Sequence, residues 1–167
     1  YEDEEFRKRI TAVLLSGESP ILLDNISATL GCPALDAVLT SVTWVDRIMG
    51  QSKMTHSLPA MAIWIATGNN LTFQADTARR TLRIRLDVKI ENPEERSGFT
   101  HPDLLGWVRE NRAQLATSAV SILRAWHLAG RPDMKLPEWG SFSEWSNIIR
   151  NAIVWLGLAD PGESRQK

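Results

Sequence analysis

Disulfide chemistry is closed to this chain. One cysteine, Cys32, stands alone in 167 residues, which excludes an internal disulfide and suits a reducing cytoplasm. Tyrosine is as scarce, with one against seven tryptophans, and most of those tryptophans fall in the second half. No apolar run reaches the length of a membrane span and no signal peptide opens the chain, so no membrane partner is expected. Charge of one sign is missing too. Nineteen basic against twenty acidic residues leave a net charge of -1, so any nucleic-acid surface has to be a local patch. His56, His101 and His127 are too scattered for a metal site, and one cysteine cannot complete one. Cys32 has no neighbouring histidine to activate it and reads as a buried structural thiol. Ser16 and Ser19 flank no nucleophile elbow. Internal repeats and low-complexity segments are also missing. What remains is the ordinary composition of a soluble globular protein, 43% hydrophobic and 23% charged.

The positive signals begin with Pro20-Ile21-Leu22-Leu23-Asp24-Asn25-Ile26, a short apolar run ending in an acid and an amide. Its length and its flanks, Gly17 and Pro20 before and polar residues after, predict a buried strand of a parallel sheet. Before it, Phe6, Ile10, Val13 and Leu14 recur at helical spacing, with Asp3 a candidate cap and Gly17 a stop. After it, residues 34–39 read as a short helix with Pro33 near its first turn. Residues 44–48 and 54–58 are short runs joined by Gly50-Gln51-Ser52-Lys53, the pattern of a hairpin. Met61-Ala62-Ile63-Trp64-Ile65-Ala66 is a second buried strand, and Thr67-Gly68-Asn69-Asn70 follows it. Residues 74–80 read as a helical turn, and 82–88 alternate as a half-buried strand.

Beyond the polar stretch 91–98 the character changes. Residues 101–130 carry a long helical pattern with one expected break near 113–118, and residues 131–139 form a proline-bearing loop. A last helix, capped by Ser141 or Ser143, is expected to run to Leu158 with Trp145, Ile148, Ile149, Ile153 and Trp155 inward. The tail after Pro161 is polar and expected to fray. The tryptophans Trp107, Trp126, Trp139, Trp145 and Trp155 could stack bases, but at helical spacing they read as core. The fold class is therefore α/β with parallel strands, followed by an all-helical C-terminal part.

Three polar features line up in chain order: Asp24-Asn25 after one strand, Thr67-Gly68-Asn69-Asn70 after another, and Arg79-Arg80 before a third. Open α/β sheets put ligands at the carboxyl ends of their strands. There an acid can hold hydrated Mg²⁺ on a nucleotide phosphate, an amide or hydroxyl can orient the attacking water, and an arginine can neutralise developing charge. The competing structural readings are a salt bridge from Arg79 or Arg80 to Asp76 or Asp87, and a left-handed turn at Asn69 and Asn70 beside Gly68.

The segments "ILLDNI", "WIATGNN" and "DTARRTLRIRLD" resemble the motor of helicase and primase-helicase proteins of phages, prophages and other mobile elements, an AAA+ group related to superfamily 3 helicases. The resemblance spans roughly residues 4–160. It implies a partial AAA+ core over residues 1–92, a linker at 93–98, a helical lid at 99–160 and a flexible tail at 161–167. It further implies ATP and Mg²⁺ as cofactors, single-stranded DNA as partner, a ring of identical subunits and a place in DNA replication. By the same resemblance Asp24 is the Mg²⁺-linked acid, Asn69 the sensor amide, and Arg79 or Arg80 a finger reaching a neighbouring subunit's nucleotide. The hairpin would touch DNA through Arg47, Lys53 and His56, Lys53 being best placed for a phosphate.

Two departures stand against this. Asn25 occupies the position where such ATPases carry a glutamate, and an amide cannot accept a proton. No Gly-x-x-x-x-Gly-Lys-Ser/Thr loop occurs anywhere, so this polypeptide is not expected to hydrolyse ATP by itself. The chain opens at Tyr1 inside a helical pattern, the expectation for a stretch cut from a longer protein whose phosphate loop lies upstream. The strand belonging to that loop would sit between the second and third strands, so the sheet is expected to be incomplete or rearranged. The alternative function is a non-catalytic DNA-binding or protein-docking module, its last helix forming a winged-helix-like end with Asn147, Arg150 and Asn151 outward.

Overall fold

The computed structural model describes residues 3–86 and 92–165. It is a mixed α/β structure that divides into two compact units, Tyr1–Thr81 and Leu82–Lys167.

In the first unit, helix α1 (Asp3–Ser16) turns Phe6, Ile10 and Leu14 inward at the spacing its sequence predicts. Asp3 lies in the first turn and its carboxylate accepts from Ala34 N at 2.8 Å, which ties α1 to the start of helix α2 (Pro33–Thr40). Gly17 ends α1 in the left-handed region (φ 70°), its N–H bonded to Leu14 O at 3.2 Å. Strand β1 (Ile21–Leu23) follows. Strands β2 (Thr43–Trp44) and β3 (Leu58–Pro59) pair antiparallel, and the Arg47–Met54 bridge carries that pairing toward the tip, so the expected hairpin is present. Strand β4 (Trp64–Ala66) is shorter than its apolar run. It pairs with β1 in parallel, Ile21 opposite Trp64, Leu22 opposite Ile65 and Leu23 opposite Ala66.

One face of this two-stranded sheet is closed. Ile21, Leu23, Trp64 and Ala66 pack into a core with Phe6, Ile10, Leu14, Leu35 and Val38. The register pair Leu22–Ile65 points to the other face and stays exposed, at 58% and 45%. Among the described residues no strand lies beyond β1 or beyond β4. Helix α3 (Ala75–Ala78) supplies the short helical turn expected near residue 74.

Residues 82–86 form no strand, contrary to the sequence expectation for 82–88, and residues 87–91 lie outside the described ones. Alternation stabilises a strand only when a neighbour covers one face. Here Ile84 and Leu86 are 78% and 85% exposed, so nothing rewards the pattern.

In the second unit a short turn at Pro93–Glu95 precedes helix α4 (Leu104–Leu128), which runs unbroken through the expected break at 113–118. Asp103 caps it by accepting from Gly106 N at 2.9 Å. Residues 143–155 form one further helical stretch. Its middle, Ser146–Arg150, winds as a π-turn between helices α5 (Ser143–Trp145) and α6 (Asn151–Trp155). Trp126 and Trp139 are buried, as core tryptophans should be. Trp145 and Ile148 are 40% and 45% exposed, where inward positions were expected. Trp145 is inward only in part, its ring packed edge to face on the buried Trp139 at 5.5 Å between centres. Ile148 lies within the π-turn, where helical spacing no longer fixes the face.

The expected outward set on this helix is also corrected. Asn147 is exposed, but Arg150 and Asn151 are buried at 3% and 7%. The tail is not frayed over its described part: Pro161–Arg165 forms a 3₁₀ turn behind Asp160. No helix among the described residues is long and apolar enough to cross a membrane.

Candidate functional site

The parallel pairing of β1 with β4 decides where the polar strand ends go. With Leu23 opposite Ala66, Asp24 and Thr67 emerge side by side at the carboxyl edge. Thr67 Oγ1 donates to Asp24 Oδ1 at 2.5 Å and accepts from Asn25 N at 2.9 Å. Thr67 N reaches back to Leu23 O at 3.0 Å, and Ile26 N to Thr67 O at 2.8 Å. The two chain segments then continue together through a parallel bridge from Leu30 to Phe73 and a hydrogen bond between the Thr29 and Thr72 hydroxyls at 2.9 Å.

The turn after β4 has to pass close to its neighbour. A Cβ on Gly68 would lie 2.4 Å from Ile26 O and 2.9 Å from the Leu71 side chain, so only glycine fits without movement. Asn25 and Asn70 hold left-handed backbone (φ 54° and 51°), which asparagine tolerates. The turn reading of Asn69-Asn70 is therefore met. Asn69 is exposed within it, on the same edge as Asp24.

The two arginines part company. Arg80 is 10% exposed; its Nη1 lies 2.7 Å from Asp76 and 3.0 Å from Asp36, whose carboxylate also takes the Thr77 hydroxyl at 2.8 Å. Its Nε is buried without a partner among the described residues. Arg80 is thus a bolt between α2 and α3, and its side chain does not reach out as a finger would. Arg79 pairs with Asp76 at 2.6 Å but is 57% exposed. The expected pairing to Asp76 is met for both. The alternative partner, Asp87, lies outside the described residues.

On the hairpin, Arg47, Lys53 and His56 are all exposed, as a binding surface requires. Ile48 N bonds Lys53 O at 2.9 Å and Gln51 N bonds Ile48 O at 3.1 Å, which closes the tip. Met49 and Met54 are exposed on the same hairpin, at 76% and 60%. The base of the hairpin is fixed by Asp46. Its carboxylate accepts from Arg7 Nε at 2.8 Å, Thr11 Oγ1 at 3.0 Å and Arg47 N at 2.8 Å. Thr11 in turn accepts from the buried Trp44 Nε1 at 2.9 Å.

Sequence reasoning gave Thr67 no separate role, although its hydroxyl joins the two strand ends; its position directly after an apolar strand was the available signal. Asp36 and Asp46 gave no signal at all, since each draws partners from distant segments. Cys32 is buried, and desolvation pushes its thiol above the ordinary range, as befits a structural thiol.

At the strand ends Asp24 Oδ1 takes the Thr67 hydroxyl, so a hydrated Mg²⁺ would be held there through the second carboxylate oxygen. Among the described residues no group of three acids, histidines or cysteines could hold a metal ion. Compared with protein-family models, curated proteins and solved structures, the chain matches none.

Proposed function

We propose that the chain is part of an ATP-dependent helicase or primase-helicase motor of the AAA+/superfamily 3 kind, from a phage, prophage or mobile element, working on single-stranded DNA in replication. The observation that carries this is the in-register parallel pair β1–β4, which joins Asp24 to Thr67 and lays the Asn69 turn along the same edge. In this reading Asp24 holds Mg²⁺ through water, and the ion neutralises phosphate charge when ATP is bound. Asn69 orients water, and Asn25 can position water but not take its proton. Of the two arginines Arg79 suits the finger, because Arg80 is enclosed by Asp36 and Asp76. Arg47 and Lys53 offer cations, His56 an exposed imidazole, and the exposed methionines beside them offer apolar surface for bases.

A motor of this kind also needs a phosphate loop with its own strand, which these 167 residues do not contain. In full-length form the reading calls for a homo-oligomeric ring. The winged-helix alternative keeps only Asn147 of its three outward residues, since Arg150 and Asn151 are buried.

The test is Mg²⁺-ATP turnover by these 167 residues and by a longer polypeptide that includes the residues preceding them, each with and without single-stranded DNA. Turnover only by the longer form, abolished by Asp24→Ala, is the expected result. A longer form that binds DNA but is inert refutes the motor and leaves a binding module.

A further inference from the structure

The arm of the hairpin and the first two turns of α1 enclose a cleft of about 430 Å³, within the range of small-ligand sites. Its walls include Glu4, Arg7 and Lys8 from the helix and Asp46, Arg47 and Met49 from the hairpin. The charges are not equivalent. Asp46 is satisfied by three donors, and Arg7 is held against it with its guanidinium 5.0 Å from the Trp44 ring centre. Those two neutralise each other and stiffen the wall. Lys8 makes a 2.9 Å pair with Glu4, one helical turn away and 82% exposed, the kind of surface pair that is readily exchanged. The Arg47 guanidinium has no ion pair or hydrogen bond among the described residues. On the hairpin wall with Arg47, and across the cleft from the helix that carries Lys8, Met49 offers exposed apolar surface.

Two cations and an apolar wall in a nucleotide-sized cleft match one phosphate and one base. We infer that the cleft seats one nucleotide of the single strand led over the hairpin, with its phosphate on Lys8 and Arg47 and its base against Met49. This rests on the hairpin's role in touching DNA and extends that surface onto α1, which the strand-end chemistry does not use.

Binding of a fluorescein-labelled oligothymidylate of about 15 nucleotides, followed by anisotropy across a salt series, tests it. Lys8→Gln and Arg47→Gln should each weaken binding several-fold and flatten the log K against log salt slope by about 0.7 for each phosphate no longer neutralised. Arg9→Gln, the same charge change on the same helix but off the cleft, should do neither. Circular dichroism of each variant checks that it is folded. If Lys53→Gln weakens binding while Lys8→Gln behaves like Arg9→Gln, the inference is wrong and the hairpin's own role in DNA binding stands. If the chain binds no oligothymidylate even at low salt, that role falls as well. Competition by thymidine monophosphate as strong, per nucleotide, as by the oligomer would make the cleft a free-nucleotide site and overturn the inference.

Discussion

Arg150 gives the sharpest test of how the helical unit is held together. Its side chain is 4% exposed and sits at the centre of four hydrogen bonds. Nε and Nη2 fork onto the Asp160 carboxylate at 2.8 and 2.5 Å, while Nη1 donates to Pro137 O and to Ser146 Oγ, each at 2.8 Å. The guanidinium also lies 5.2 Å from the centre of the Trp139 ring. One side chain thereby fastens the loop before the last helix, the π-turn and the segment after it. Arg150→Met keeps much of the apolar stem and removes all four bonds, leaving Asp160, 12% exposed, with Gly162 N as a backbone donor. Breaking a buried pair by deleting one partner costs about 3–5 kcal/mol, because the other charge is left uncompensated. That corresponds to a fall of about two to four orders of magnitude in the folding equilibrium constant. Urea unfolding followed by tryptophan fluorescence reads it, with Trp139 as a local reporter. The double variant Arg150→Met/Asp160→Leu should recover part of the loss, since no lone charge then stays buried. A single-variant loss below about 1 kcal/mol would put the pair in the range of surface ion pairs and refute its role as the fastening of this unit.

The same pair sets an acid limit. Hydrogen bonding from Arg150 holds the Asp160 carboxyl below its ordinary 3.8 in the folded chain. A depressed folded value stabilises above the unfolded one and loses that contribution as pH falls through the folded one. The stability gap between the native chain and Asp160→Asn should therefore be full above about pH 4 and shrink below it; a gap that widens in acid would reverse the assignment. At the strand ends, Gly68→Ala should cost about 1–3 kcal/mol, because the new Cβ meets the Ile26 carbonyl rather than a movable side-chain tip. Asn69→Ala, one residue on and exposed, should stay within about 0.5 kcal/mol in the same thermal unfolding assay. Equal losses at the two positions would show that the close approach at Gly68 is not what constrains the turn.

What the sequence made legible was whatever depends on near neighbours. Phe6, Ile10 and Leu14 announce the buried face of α1 by their spacing, and Gly17 announces its end. Asp24 and Thr67 each announce a strand end, although only the parallel register brings the hydroxyl of one onto the carboxylate of the other. What failed needed a partner that spacing does not reveal. Leu82, Ile84 and Leu86 alternate as a strand should, but an alternating segment becomes a strand only beside another one. Arg150 carries the opposite error. An arginine on an amphipathic helix reads as solvated until Asp160, ten residues on and past the helix end, is seen folding back to meet it. Arg80 repeats the case in the first unit, because Asp76 is within reach of local reasoning but Asp36 is not. In both units an arginine that the sequence offers as a functional cation is enclosed by carboxylates from its own chain. Arg47 and Lys53 on the hairpin are exposed instead, which is why the proposed DNA contact is tested there and on the neighbouring Lys8 of α1.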